Sequence, residues 1–485
     1  MAFRNRFNNL SSKEWLPFQK SWFIFKDIET LYDENIRFFI KEDLEECAPV
    51  FAFYGHPDKF LVMKRVAEKN GFDIIDAKHC KVECDIQFAL FDLRDDIKEI
   101  HQPDEADDFI KKIIPVIKEV SHKIIHRRFL SIFIANIYNK ERTLPVAWDM
   151  SERISRFLSL KDEKIGCFET DEVASLKINY FKTQNNFFYC QYFRKDENSN
   201  SDYGLFKESE FYKNIDQENT DNFFKHLMSN WHIIRPKRRS KKEIQHPAKY
   251  PEEVVSLFLQ YFTKPGDNVF DPMSGTASTQ LAALSHGRNG YGSELSEFFT
   301  DIANERLANY VKPQQVSMFN EDKSHLDYKI LNKDARKVKK ADFPVIDYII
   351  TSPPYWDMLN MIGAENQAKR KEKGLQTNYS DNEFDLGNIS DYKTFINSLI
   401  EVYKSILPIL KPGGYFTIIV KNIKKKGKNY PFAYDLGHLL QQEMILLPEV
   451  FWVQNDINIA PYGYGNTFVS NTFHQYCLTF QKPNE

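Results

Sequence analysis

From Trp231 onward, short apolar runs alternate with amphipathic segments, and this alternation constrains the fold more than any other feature of the chain. Alternating strand and helix patterns are typical of a doubly wound α/β sheet. The periodicity predicts helices over Glu252–Phe262, Thr276–His286, Ser296–Tyr310 and Tyr392–Leu410, and strands over Asn268–Phe270, Tyr291–Ser293, Asp347–Thr351, Tyr415–Val420, Met444–Trp452 and Gln475–Phe480. We therefore expect a mixed, mostly parallel sheet with helices on both faces.

The first half of the chain has a different pattern. A chain of 485 residues exceeds the size at which one hydrophobic core keeps growing, so we predict two domains, over residues 1–228 and 229–485. The first is rich in Phe, Tyr and Ile and contains helix-like patterns such as Ala106–Val120, which Pro115 is expected to kink or divide. We predict an α+β domain without a fixed-period repeat, and its role stays open between target recognition and partner binding.

A glycine-containing turn joins the first predicted strand of the second domain to a helix. The segment Asp271-Pro272-Met273-Ser274-Gly275-Thr276-Ala277-Ser278 turns tightly enough to present backbone amides to a ligand. About 20 residues further on, Glu294 ends the next predicted strand, where the ribose hydroxyls of a nucleoside cofactor would lie. Such turns also occur where they only cap a strand, so the turn alone is weak support for a cofactor site.

The strand predicted over Asp347–Thr351 runs directly into Ser352-Pro353-Pro354-Tyr355-Trp356. Consecutive prolines fix the backbone direction and remove amide donors, so the Ser352 hydroxyl and the Pro353 carbonyl are available as hydrogen-bond acceptors. Tyr355 offers an aromatic face on which a flat ring can stack. The purely structural alternative is a proline-terminated edge strand with aromatic residues in the core.

Together these segments resemble the amino-group DNA methyltransferase family, and the resemblance covers roughly residues 229–482. The matching motifs include His246-Pro247-Ala248-Lys249-Tyr250-Pro251, the turn after Asp271, Arg288-Asn289-Gly290-Tyr291-Gly292-Ser293-Glu294, and Ser352-Pro353-Pro354-Tyr355. The resemblance implies a Rossmann-like class I methyltransferase domain that binds S-adenosyl-L-methionine through Asp271, Pro272, Met273, Ser274, Gly275, Thr276, Glu294, Asp334, Ala335 and His246. Met273 stands where the family usually has Phe, and Thr276-Ala277 where it usually has Ser-Gly, and these changes bear on cofactor affinity.

The resemblance makes Ser352, Pro353, Pro354 and Tyr355 the catalytic residues. An exocyclic amine is a poor nucleophile because its lone pair is delocalised into the ring, and acceptors on its hydrogens localise that pair for attack on a sulfonium methyl. Ser-Pro-Pro-Tyr is carried more often by cytosine-N4 enzymes, so we favour N4 of cytosine over N6 of adenine. Methylation at C5 of cytosine needs a thiol in a Pro-Cys setting, and none of the six cysteines follows a proline.

Two interpretations outside DNA methylation stay open. Related folds with a Pro-Pro-Tyr motif methylate RNA bases, although no recognisable RNA-binding module is present in the sequence. The chain could also be a DNA-binding subunit that no longer turns over, for which the departures at Met273 and Ala277 are the support.

Clusters of basic residues surround the predicted catalytic residues although the formal net charge is -3. Local fields decide the attraction of a polyanion, and clustered lysines and arginines are typical of phosphate contacts. We predict double-stranded DNA as a partner, contacted by Trp356, Arg238, Arg239, Lys241, Lys369, Arg370, Lys424 and Lys425. A restriction or defence protein is a further expected partner.

Composition bounds the cellular setting. No apolar stretch resembles a secretory signal or a membrane span, so a cytoplasmic protein is expected. The six cysteines are scattered and resemble neither a disulfide framework nor a zinc site. Methyl transfer from a sulfonium needs no Lewis acid, so no metal is predicted.

Overall fold

The computed structural model describes residues 5–42, 44, 50–79, 85–138, 142–170, 181–196, 227–237, 250–312, 326–356, 372, 384–425 and 427–484. Two large β-sheets form within these ranges, one from each half of the chain. No helix within the same ranges is both long and apolar enough to cross a lipid bilayer.

The first half builds a seven-stranded sheet. Its elements are α1 (Ser12–Phe18), β1 (Trp22–Ile24), α2 (Ile28–Phe39), β2 (Val50–Tyr54), α3 (Pro57–Asn70), β3 (Asp73–Asp76), β4 (Ile86–Asp92), α4 (Pro103–Lys123), β5 (Ile124–Ile134), β6 (Ile137–Tyr138), β7 (Thr143–Leu144), α5 (Val146–Ser155), β8 (Ser159–Cys167) and β9 (Phe187–Arg194). The strand order is β1-β8-β9-β5-β4-β2-β3, and β9 is antiparallel to both neighbours while the other pairs are parallel. β6 and β7 form a separate antiparallel pair.

The second half builds a nine-stranded sheet. Its elements are β10 (Trp231–Ile233), α6 (Glu252–Phe262), β11 (Asn268–Asp271), α7 (Ser278–Ser285), β12 (Asn289–Glu294), α8 (Glu297–Val311), β13 (Tyr328–Asn332), β14 (Ile346–Thr351), α9 (Tyr392–Ile406), β15 (Leu410–Val420), β16 (Ile423–Lys425), β17 (Lys428–Tyr430), α10 (Phe432–Leu440), β18 (Ile445–Leu446), β19 (Val450–Val453) and β20 (His474–Gln481). The strand order is β10-β19-β20-β15-β14-β11-β12-β13, with β18 also paired to β20, and β20 is antiparallel to its neighbours.

Helices cover both faces of the second sheet. Successive side chains of a strand point to opposite faces, and in β14 Tyr348 and Ile350 pack with Phe258 of α6, whereas Ile349 packs with Phe395 of α9. A mixed, mostly parallel sheet covered in this way confirms the predicted Rossmann-like fold.

One continuous core joins the two halves. Helices α4 and α5 of the first half and α9 and α10 of the second belong to the same buried cluster. At its centre Trp148 stacks on Tyr434, with ring centroids 5.1 Å apart. A Cβ at Gly437 would lie 2.3 Å from the Trp148 ring, so the close approach of α5 and α10 requires glycine there. The halves are therefore packed as one body of buried side chains.

The two sheets repeat one strand order. The order β3-β2-β4-β5-β9-β8-β1 corresponds strand by strand to β12-β11-β14-β15-β20-β19-β10, with the antiparallel strand at the same position. The register also shifts at the same step, between Ile86 and Phe88 of β4 and between Ile346 and Tyr348 of β14. β13 extends only the second sheet. No fixed-period repeat was predicted, and the sequence pattern did not indicate this larger duplication.

Two predicted elements that contain a proline differ from the observed ones. The single late strand predicted over Met444–Trp452 is divided into β18 and β19, because Pro448 between them has no amide to donate. The helix predicted around Pro115 is neither divided nor restricted to Ala106–Val120, because α4 continues through the proline with the apolar side chains of Ile110, Ile113 and Ile117 buried. Packing of that face offsets the lost helical hydrogen bond.

Candidate active site

Asp271, the last residue of β11, holds the loop of residues 272–277 that precedes α7, which we call the cofactor loop. Its carboxylate accepts hydrogen bonds from the hydroxyls of Tyr250 at 2.6 Å, Thr279 at 2.8 Å and Thr351 at 2.7 Å, and from the Met273 amide at 3.0 Å. Burial raises the pKa of Asp271, and the hydrogen bonds from Tyr250 and Thr351 act in the opposite direction. Asp271 is 0% exposed and is not among the residues that line the cleft, and its hydrogen bond with the Met273 amide orients the loop.

Two backbone positions give the loop its shape. Gly292 of β12 lies so close to the loop that a Cβ there would be 2.0 Å from the Ser274 hydroxyl oxygen. Ala277 has a φ of 69°, in the left-handed region, which costs a residue with a Cβ about 1–2 kcal/mol. The glycine usual at this place in the family pattern avoids that cost, which gives the departure at Ala277 a physical meaning.

Glu294, at the end of β12, has a carboxylate that is held by backbone amides. Its two oxygens accept hydrogen bonds from the Gly275 amide at 2.8 Å and the Ser296 amide at 2.9 Å. Burial raises the pKa of Glu294 to about 7. Each oxygen keeps a further lone pair for a donor in the cleft.

The carboxyl ends of β12 and β14 open into one cleft. Its lining consists of Pro272, Met273, Glu294, Leu295, Phe299, Asp334, Ala335, Arg336, Ser352, Pro353, Pro354, Phe384, Asp385, Leu386 and Val402. The cleft thus contains both the Glu294 carboxylate and the Ser352 and Pro353 acceptors. Clefts at the carboxyl ends of parallel strands are where ligands bind in open α/β sheets.

Asp334 lines the cleft but its carboxylate already has a cationic partner. Arg336 donates to it from Nε at 3.0 Å and from a terminal nitrogen at 2.7 Å. Burial opposes ionisation, but the bonds from Arg336 lower the pKa of Asp334 below its usual value. Arg336 also donates to the Phe384 carbonyl at 3.0 Å, so this pair connects the segment after β13 to the far wall of the cleft.

Tyr355 lies beside Ser352 and is held by the last strand. Its hydroxyl donates to the Gln475 side chain at 2.9 Å, and the Lys421 ammonium lies 5.2 Å from its ring centroid. Burial raises the pKa of Tyr355 to about 12, against a hydrogen bond with Ser352. The phenol is therefore neutral and fixed in orientation.

The structure places the described members of the predicted DNA-contacting set in different surroundings. Trp356 is 4% exposed and packs against Tyr392 and Tyr430, with the Lys425 ammonium 3.8 Å from its ring. The Lys424 ammonium is bonded to Asp162 of the first half at 2.7 Å and to Ser470. The remaining basic residues of the set, Arg238, Arg239, Lys241, Lys369 and Arg370, lie outside the described residues, as does His246 of the predicted cofactor set.

Sequence reasoning missed several residues of the cleft. Phe299, Arg336, Phe384 and Asp385 line it, yet none was among the predicted site residues. Phe299 is one apolar residue among many in α8, and nothing in the sequence distinguishes it. Asp385 lies within residues 229–482, which resemble the family, and this resemblance was the signal that could have identified it.

Cysteines contribute no ligand cluster in the described part of the chain. Cys167, Cys190 and Cys477 are buried free thiols, and burial raises the pKa of Cys190 and of Cys477 to about 12. Among the described residues, no group of three or more His, Cys, Asp or Glu side chains is arranged to hold a metal ion.

A protein-family profile matches part of the chain. Residues 88–305 match the profile of a family described as DNA methylase, of the N6/N4 type. This segment begins in β4 and ends in α8, so it includes the cofactor loop and Glu294 and stops before Ser352.

Curated relatives match shorter segments. An orphan methyltransferase of Bacillus amyloliquefaciens, M.BamHII, is 38% identical over 84 residues, which cover 17% of this chain and 32% of the relative. The type II methyltransferase M.MjaI of Methanocaldococcus jannaschii is 29% identical over 102 residues, which cover 21% of this chain and 32% of the relative. The matched segments therefore span about a third of these relatives.

Solved structures resemble the chain at low sequence identity. An rRNA methylase from Streptococcus thermophilus is 14% identical with a TM-score of 0.27, and the match covers 49% of this chain and 99% of that one. TrmN from Thermus thermophilus is 12% identical with a TM-score of 0.31, over 94% of this chain and 78% of that one. The family profile and the curated relatives, taken together, confirm the predicted resemblance of this chain to the amino-group DNA methyltransferase family.

Proposed function

We propose that this protein methylates the exocyclic amino group of a base in double-stranded DNA, with S-adenosyl-L-methionine as methyl donor and N4 of cytosine as the preferred acceptor. One observation carries the proposal: Ser352 and Pro353, the two predicted acceptors for an amino group, line the same cleft as Glu294.

The residues of the cleft fit this cofactor. The Glu294 carboxylate has free lone pairs for ribose hydroxyls, and its negative charge when ionised complements a sulfonium cation. The close approach of Gly292 to Ser274 keeps the loop against β12, so backbone groups of Gly275 and its neighbours border the ligand. Pro272 and Met273 supply apolar walls, and Asp334 and Ala335 border the opposite side.

The chemistry assigned to this chain is orientation of the acceptor amine. When bound, S-adenosyl-L-methionine supplies an electrophilic methyl group. The Ser352 hydroxyl and the Pro353 carbonyl accept hydrogen bonds from the two amino hydrogens, which localises the nitrogen lone pair and aims it at the methyl carbon. The N–C bond forms as the S–C bond breaks, and the amine then loses one proton to solvent.

Extrusion of the target base from the helix is part of the proposal. An exocyclic amino group inside a duplex cannot reach a cleft at the end of a sheet, so the base must leave the stack. The Tyr355 ring, held by Gln475, offers a stacking face beside Ser352. Phosphate contacts are assigned to Arg238, Arg239, Lys241, Lys369, Arg370 and Lys425, and a restriction-modification or defence setting is proposed for the activity.

The test is incubation of the purified full chain with labelled S-adenosyl-L-methionine and unmethylated DNA, followed by mass spectrometry of the nucleosides. N4-methylcytosine supports the whole proposal, and N6-methyladenine keeps the mechanism but corrects the base. Transfer to RNA with none to DNA would replace the substrate class, and absence of transfer to either nucleic acid would favour the non-catalytic DNA-binding alternative.

A further inference from the structure

Short sequence segments repeat between the two halves, at corresponding places in the two folds. Asn136-Ile137 after β5, followed by Pro145-Val146-Ala147-Trp148-Asp149 at the start of α5, corresponds to Asn422-Ile423 after β15, followed by Pro431-Phe432-Ala433-Tyr434-Asp435 at the start of α10. Tyr189-Cys190 of β9 corresponds to Tyr476-Cys477 of β20. The duplication is therefore one of sequence as well as of strand order.

Each half reaches into the other through the same contacts. The Asn136 side chain accepts from the Ala147 amide at 2.9 Å and donates to Glu449 of the second half. Its counterpart Asn422 accepts from the Ala433 amide at 2.9 Å and donates to Glu163 of the first half at 2.6 Å.

Two corresponding tryptophans, Trp22 of β1 and Trp231 of β10, also form hydrogen bonds between the halves. The Trp22 indole donates to the Gln454 carbonyl at 2.9 Å, and the Trp231 indole donates to the Phe168 carbonyl at 3.1 Å. Their ring centroids lie 6.3 Å apart. The two corresponding tryptophans thus make reciprocal contacts, each with the other half of the chain.

In the described part of the first half, a different segment stands where the second half carries Ser352-Pro353-Pro354-Tyr355. At the end of β4, where β14 leads into Ser352-Pro353-Pro354-Tyr355, the sequence is Asp92-Leu93-Arg94-Asp95. The Asp92 carboxylate is 0% exposed and is occupied by Arg94 at 2.6 and 2.8 Å, by Lys59 at 3.0 Å and by the Tyr32 hydroxyl at 2.7 Å. With its lone pairs used in this way, Asp92 has none left for an amino group.

In the second half, the contact between Glu163 and Asn422 lies next to Lys421, which packs on Tyr355. Glu163 is 3% exposed and accepts hydrogen bonds from Asn422 and from the Tyr434 hydroxyl, with His474 at 3.5 Å. Asn422 directly follows Lys421, whose ammonium lies 5.2 Å from the Tyr355 ring centroid. A carboxylate of the first half therefore holds the backbone from which Lys421 reaches Tyr355.

We propose that the first half completes the active site of the second: Glu163 is a positioning residue that acts through Asn422 to hold Lys421 against Tyr355. The inference rests on the proposed methyl transfer for its kinetic test, but its geometry stands independently of that function. On this proposal, the first half repeats the fold of the second and serves to orient Lys421 and Tyr355 of the second half.

The duplication supplies a matched control. Glu449 stands at the place that corresponds to Glu163 and accepts hydrogen bonds from Asn136, Tyr138 and Tyr189 of the first half. Glu163→Gln and Glu449→Gln each replace a buried carboxylate that accepts a hydrogen bond from the corresponding asparagine. Burial opposes ionisation of both groups, but the hydrogen bond with His474 lowers the pKa of Glu163, whereas the pKa of Glu449 is raised by its burial. Urea denaturation therefore measures the stability of each variant beside its kinetics. Only Glu163→Gln should change the catalytic step.

The experiment compares kcat, KM for DNA, cofactor affinity and amide hydrogen exchange of the full-length variants. We expect Glu163→Gln to lower kcat ~10-fold or more with unchanged cofactor affinity, and Glu449→Gln to leave kcat within about 2-fold. Exchange of the amides of residues 421–425 should accelerate in Glu163→Gln only. The double variant Glu163→Gln/Asn422→Asp restores a donor and acceptor with reversed polarity, and should recover part of kcat.

Equal kcat in the two single variants, or unchanged exchange at residues 421–425 in Glu163→Gln, would overturn the positioning role. If the wild-type protein methylates no nucleic acid, the proposed function fails, and the exchange measurement still decides the role of Glu163. If Glu163→Gln loses cofactor affinity together with kcat while Glu449→Gln does not, the residue supports the fold of the whole cleft and the specific inference is wrong.

Discussion

The hydroxyl of Thr351 donates a hydrogen bond of 2.7 Å to the carboxylate of Asp271. Thr351 is the last residue of β14 before Ser352, and Asp271 is the last residue of β11 before the cofactor loop. The two parts of the candidate site are therefore tied together behind the cleft, by two buried residues that do not line it.

Removing this bond should destabilise the protein. In Thr351→Val the side-chain volume is nearly kept, but one hydrogen bond to a buried carboxylate is lost, which costs about 1–3 kcal/mol. Urea denaturation measures the loss, and Thr351→Ser, which keeps the hydroxyl, should recover most of it. Equal stability of the valine variant and the wild type would show that Asp271 does not depend on this donor.

Loss of the Ser352 hydroxyl should slow transfer without weakening cofactor binding. Ser352→Ala removes one preorganised acceptor for the amine, so kcat should fall by ~10²-fold. Calorimetric titration with S-adenosyl-L-methionine should give the same affinity for the variant and the wild type. A parallel loss of binding and turnover would instead assign Ser352 to the structure of the cleft.

Cofactor affinity should depend on the ionisation of Glu294. Burial raises the pKa of Glu294 to about 7, and the ionised form is the better acceptor and attracts a cationic ligand. Binding therefore favours loss of the proton, and affinity should rise between about pH 6 and about pH 8 and then level off. Titration in this range checks the trend, and Glu294→Gln should bind weakly with the pH dependence removed.

The unliganded protein should show the opposite trend in stability. The folded pKa of Glu294 lies above the ordinary value of 4.5, so between these values the folded state holds a proton that the unfolded state has released. The stability contributed by the neutral form is present below the ordinary pKa and is lost as pH rises towards about 7. Thermal denaturation with and without cofactor separates this effect from binding.

The basic residues of the predicted DNA-contacting set should separate into two classes, those that pair within the protein and those that contact phosphate. Lys424 pairs with Asp162 across the halves, so Lys424→Ala should lower stability by about 1–3 kcal/mol and leave the salt dependence of DNA binding unchanged. The double variant Arg238→Ala/Lys241→Ala should instead reduce the slope of log affinity against log salt by about 2. A reduced slope in Lys424→Ala would place Lys424 on the DNA.

Much of the second sheet could be predicted because its pattern is local. The strand predicted over Asn268–Phe270 is observed as Asn268–Asp271, and the helix predicted over Ser296–Tyr310 as Glu297–Val311. The strand Tyr328–Asn332 was not predicted, because its burial is irregular and no apolar alternation marks it. Periodicity detects an element only where one face of it is consistently buried.

The candidate site was predicted through its motifs and missed where contacts are distant in sequence. Ser352 and Glu294 follow strands and have recognisable neighbours, so the sequence indicated them. Glu163 lies in the other half of the chain, and only the packed structure brings it to Asn422. Asp271 was predicted to bind the cofactor, and the sequence did not indicate that its carboxylate accepts hydrogen bonds from Tyr250 and Thr351.

The stacking of Trp148 on Tyr434, within a core that both halves share, has a consequence for how this chain can change over generations. A half without transfer chemistry would ordinarily be free to drift or to be deleted. Here natural selection for a well-packed second half acts on the first half as well, because each half supplies buried surface to the other. Substitutions in one are expected to be compensated in the other, as in two subunits that cannot dissociate.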